Sequence, residues 1–95
     1  MGTLRRLVLD VLKPHDPPLR QFTEHLDSVE CIDGVTASLI EHDREVENIK
    51  LTIEGEDLDD EAIEAVIDDL GGTVHSVDQV AYGDHVVKVQ QTPQD

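Results

Sequence analysis

Aromatic side chains are almost missing from this chain, which has one Phe, one Tyr and no Trp in 95 residues. A core must therefore be built from Leu, Ile and Val, and a surface that stacks on nucleic-acid bases has little to be made of. Cations are scarce as well. Seven Lys and Arg stand against 22 Asp and Glu, for a formal charge of −15. Binding to a phosphate backbone needs the opposite balance, so nucleic acid is not an expected partner. The single cysteine, Cys31, leaves no intramolecular disulfide and no CxxC metal or redox motif. Beside Ile32 it reads as a small buried hydrophobe. No apolar run approaches the length needed to cross a membrane, and Met1 to Arg6 lacks the apolar stretch of a secretory signal. The expected location is the cytoplasm, with no membrane partner.

Acidic residues are what the chain has in excess, and strong acidity reads as disorder or as adaptation to salt. Apolar residues recur with clean periodicity almost from end to end, which argues against disorder. At molar salt the Debye length falls to about 3 Å, so self-repulsion becomes tolerable there. The expected setting is a halophile.

From Leu4 to Lys13 the pattern alternates, with Leu7, Leu9 and Val11 on one side and Arg6, Val8, Asp10 and Leu12 on the other. That is a strand, broken by Pro14-His15-Asp16-Pro17-Pro18. Asp16 is the expected helix N-cap, with Pro17 in the first helical position. Leu19, Phe22, Leu26 and Val29 then follow helical spacing. Asp33-Gly34 is a turn, and Val35, Ala37 and Leu39 open a second strand. His42 to Glu45 is a polar hairpin tip. The return strand buries Ile49, Leu51 and Ile53 and exposes Asn48, Lys50, Thr52 and Glu54. A second helix has an acidic first turn, a stripe of Ala62, Ile63, Val66, Ile67 and Leu70, and a Gly71-Gly72 stop. A last β region runs from Thr73 to Tyr82, where the apolar phase slips and predicts a bulge. Gly83-Asp84 then turns into a short extra strand, His85 to Val89.

The order βαββαβ predicts an α+β, ferredoxin-like sandwich. Right-handed crossovers give an antiparallel sheet of order 4-1-3-2 with two helices on one face, plus the C-terminal extra strand. Residues 1–91 form a single domain and 92–95 a polar tail.

Several stretches also resemble a known family. Leu7-Val8-Leu9-Asp10-Val11-Leu12-Lys13-Pro14-His15, Thr52-Ile53-Glu54-Gly55, Leu70-Gly71-Gly72 and His75-Ser76-Val77-Asp78 are similar to the archaeal domain of unknown function 211. The resemblance spans nearly the whole chain. It implies a ferredoxin-like subunit, an archaeal source and ring-like homo-oligomers, and no established activity.

No catalytic signature is present: GxGxxG, the P-loop and HExxH are missing. The strongest constellation is Asp10, His15, His75 and Asp78, because the last long strand lies beside the first in the expected sheet. Carboxylate and imidazole donors there would hold a divalent cation, calcium among the candidates. The simpler reading is that Asp10 neutralises Lys50 or Arg6 while His15 packs on the prolines. The acidic run from Glu54 to Glu61 lacks the glycine turn and spacing of an EF-hand, and reads as helix capping plus surface charge. His25, His42 and His85 read as single surface histidines. On the outer sheet face Val8, Leu12 and Ile40 form a patch that points to an interface.

The expected function is a non-enzymatic, self-assembling homo-oligomer of a halophilic archaeon, with a small-molecule ligand or divalent cation at subunit contacts. The alternatives are a purely structural ring- or shell-forming protein, and a metal-dependent enzyme using the Asp10/His15 region.

Overall fold

The structure is a computed structural model and describes residues 2–84. The extra strand expected over His85–Val89 and the tail over 92–95 lie outside the described residues. The elements are β1 (Thr3–Pro14), α1 (Leu19–Asp27), β2 (Gly34–His42), β3 (Val46–Glu54), α2 (Asp60–Asp69) and β4 (Thr73–Gly83). The sheet order is β2-β3-β1-β4, with every pair antiparallel. This is the expected 4-1-3-2 order read from the other edge.

The inner pair follows its sequence pattern closely. β1 and β3 run in unbroken register from Arg6 opposite Glu54 to Pro14 opposite Val46. Leu7, Leu9 and Val11 therefore stand beside Ile53, Leu51 and Ile49, and all six are buried. Phe22 and Leu26 of α1 and Ile63 and Ile67 of α2 cover them. Each fully buried aliphatic of this kind contributes about 1.5–3 kcal/mol relative to exposure. Lys13 falls on the same alternating column and is buried with them.

The two helices begin differently. Asp16 does not cap α1: Pro18 is the N-cap, extended at φ −61° and ψ 158°, with no side-chain cap bond. A proline ring disfavours helical conformation in the residue before it, so Pro18 keeps Pro17 out of the helix. The helix starts once the prolines are passed. In α2 the Asp59 carboxylate accepts from the Ala62 N–H at 3.2 Å, and Asp60 and Glu61 lie at the positive end of the helix dipole. Its far end is a Schellman turn. Gly71 N–H donates to Asp68 O and Gly72 N–H to Ile67 O, both at 2.9 Å, with Gly71 at φ +86°.

The outer strands depart from regularity. β4 slips against β1 at three places, where one bulge was expected. Val77, Val80 and Tyr82 lie opposite Leu9, Leu7 and Leu4, yet they stay 53%, 52% and 66% exposed. On β2, Leu39 and Ile40 are 49% and 60% exposed. The outer sheet face differs from expectation at Val8, which is buried. It sits on a central strand between Thr52 and Gln79. Beside it, Arg6 is held at 2.7 Å from Glu54 and reaches toward Gln79. The exposed apolar surface therefore lies on the margins of the sheet.

Candidate functional site

One row of the sheet carries three polar side chains, two of them where the alternation predicts apolar ones. Lys13 on β1 is opposite Glu47 on β3, and Glu47 is opposite His42 on β2. The last contact depends on a bulge. The β2–β3 register shifts between Leu39 and Glu41, so His42 faces Glu47. Without the shift Glu41 would face it and set two carboxylates against each other. His15 then folds back from beyond Pro14 to join the row.

The contacts are specific. The buried Lys13 ammonium donates to Glu47 Oε1 at 2.9 Å and to the Pro14 carbonyl at 2.7 Å, and lies 5.9 Å from the centre of the Phe22 ring. Glu47 Oε2 is 3.2 Å from His15 Nδ1 and 3.7 Å from His42 Nε2. His15 Nε2 lies 3.0 Å from the Arg44 carbonyl in the hairpin tip. That carbonyl can only accept, so Nε2 carries a proton. The hydrogen bond to Glu47, then that to the Arg44 carbonyl, raises the His15 pKa above its ordinary value. Lys13 first, and His15 second, hold the Glu47 carboxyl below the usual range. Among the described residues, the His, Cys, Asp and Glu side chains whose donor atoms converge as a group are His15, His42 and Glu47, all within 4.8 Å of one another.

The four residues singled out from sequence separate onto two sides of the sheet. Asp10 alternates with Lys13 and faces away from the helices, opposite Lys50 on β3 and Ser76 on β4. Its Oδ1 is inaccessible and lacks a hydrogen-bond partner among the described residues. Arg6, one of its expected partners, pairs with Glu54 instead. His75 and Asp78 flank that position on β4, where Asp78 accepts from Ser76 Oγ at 2.8 Å. His15 is directed to Glu47 and away from Asp10. The Glu54–Glu61 run divides into the Arg6 partner and the α2 cap.

Sequence reasoning passed over Glu47 and read His42 as a surface residue. A signal was available: Lys13 and Glu47 are charged residues on columns whose other members are all core aliphatics. The β2 bulge that brings in His42 has no such signature.

The match to known proteins covers the whole of this architecture. The family model of DUF211, described as uncharacterized ArCR, matches residues 5–95. The chain belongs to the DUF211 family. The uncharacterized protein MJ0319 of Methanocaldococcus jannaschii is 46% identical over 95 residues, covering 100% of this chain and 98% of that protein. The Lys13–His15 segment on which the site is built lies within the matched part of this DUF211 chain. No helix among the described residues is long and apolar enough to cross a membrane.

Proposed function

We propose that this DUF211 chain is a non-enzymatic, self-assembling protein whose copies join head to tail through β2 and β4. One observation carries the reading. Every large exposed hydrophobic among the described residues, namely Leu39, Ile40, Val77, Val80 and Tyr82, lies on one of the two outer strands. Proline, lysine and covering elements are among the devices that protect natural sheet edges, together with bulges of the kind both outer strands carry. Neither β2 nor β4 contains a proline or a lysine. Two unlike edges meeting on successive copies make a heterologous contact, which closes into a ring when the rotation allows.

Charge sets the conditions for assembly. At −15 per chain, copies repel one another in dilute buffer and associate only where salt screens them. This favours a halophilic, cytoplasmic setting. Size exclusion with light scattering tests the proposal. In molar KCl the parent should elute as one discrete oligomer, and the double variant Val80→Glu/Tyr82→Glu as a folded monomer. A monomeric parent, or a double variant that assembles fully, would overturn it.

A further inference from the structure

We infer that His15, His42 and Glu47 form a binding site for a borderline transition-metal ion of the zinc class. The assignment rests on their geometry and does not depend on the assembly reading. Because Nε2 of His15 donates to the Arg44 carbonyl at 3.0 Å, loss of the Nδ1 proton leaves a lone pair facing Glu47 Oε2 at 3.2 Å, where a metal ion can take the proton's place. Two acceptors facing at that distance repel unless a proton or a metal ion lies between them. A donated N–H from the far nitrogen to a carbonyl is also the contact that orients a metal-ligating histidine.

The spacing suits a tetrahedral ion. Bonds of about 2.0–2.1 Å separate tetrahedral ligand atoms by about 3.3 Å. Glu47 Oε2 stands 3.2 Å and 3.7 Å from the two imidazole nitrogens, so small rotations of two surface side chains complete the set. Lys13 retains Oε1 at 2.9 Å, which leaves Glu47 to bind through Oε2 alone. The rings are reachable from solvent, at 39% and 60% side-chain exposure for His15 and His42. Three protein ligands leave a fourth position to solvent.

Donor chemistry selects the ion. Two imidazoles and one carboxylate suit zinc, cobalt, nickel or copper, whereas calcium and magnesium require oxygen ligands. Calcium, one candidate for the Asp10 cluster in the sequence, does not suit the donor set of His15, His42 and Glu47.

The test uses cobalt(II) as a coloured probe on chelator-treated protein in molar KCl. The parent should bind one ion per chain with the visible absorption of tetrahedral cobalt, and zinc should displace it. His42→Ala, a change at an exposed position, should weaken binding by about tenfold or more. His25→Ala and the pair Asp59→Asn/Asp60→Asn should bind as the parent does. Zinc should also shift the His15 and His42 imidazole NMR signals in the parent, a readout that needs no variant to fold. Failure of the parent to saturate, or unchanged binding by His42→Ala, overturns the site. Equal losses from the Asp59/Asp60 pair would assign the binding to diffuse acidity and overturn it equally.

Discussion

The inner strands and the outer strands of this sheet are built to different rules. β1 and β3 keep register along their whole pairing and bury a continuous apolar column. β2 and β4 slip against their neighbours and leave aliphatic and aromatic side chains in water. The difference divides the work of the molecule. The centre supplies folding energy, and the margins leave apolar surface in water, the surface that the proposed assembly would use. The His15–His42–Glu47 set lies where the two regimes meet, because a bulge in an outer strand delivers His42 to an inner-strand carboxylate.

The sharpest way to break this comparison is to truncate one residue from each regime. Leu51→Ala removes a fully buried side chain and should cost about 2–5 kcal/mol. Val80→Ala, at an exposed margin, should cost less than about 0.5 kcal/mol of subunit folding stability. Urea unfolding in molar KCl, on subunits dissociated by dilution, measures both. Equal losses would show that the margin belongs to the core.

A second test concerns the turn that returns α2 to the sheet. Gly71 has φ +86°, and a Cβ there would approach Pro14 Cγ at 3.2 Å. Gly71→Ala should therefore cost about 1–2 kcal/mol, the usual penalty for a left-handed non-glycine residue. The same unfolding assay should find that loss.

A titration sharpens the boundary between the regimes. Glu47→Gln removes the carboxylate that chiefly raises the His15 pKa, so the value should fall toward that of an ordinary histidine. An NMR titration of metal-free protein measures it. An unmoved His15 would mean that the ring does not face Glu47 in solution.

Legibility in the sequence followed the same division. Alternation in Ile49-Lys50-Leu51-Thr52-Ile53, helical spacing around Phe22 and Ile63, and the Gly71-Gly72 stop carried the ferredoxin-like architecture. These signals are local, and the structure agrees with local periodicity. The α1 start was misread because two prolines compete for one position, and the second decides the conformation of the first. The site was half legible. His15 was singled out, but Asp10 and Glu47 lie on opposite faces of the sheet, and strand parity past a proline does not say which one a histidine will choose. His42 depends on a one-residue slip against β3, a property of the pairing that no single strand contains.

Hydrogen exchange along the two outer strands tests the central claim most directly. In molar KCl, outward-pointing amides of β2 and β4 should be strongly protected in the parent. They should exchange rapidly in the Val80→Glu/Tyr82→Glu variant, while β1 and β3 amides stay protected in both. Outer-strand amides that exchange rapidly in the parent as well would mean that these edges are free in solution, and that the chain does not assemble through them.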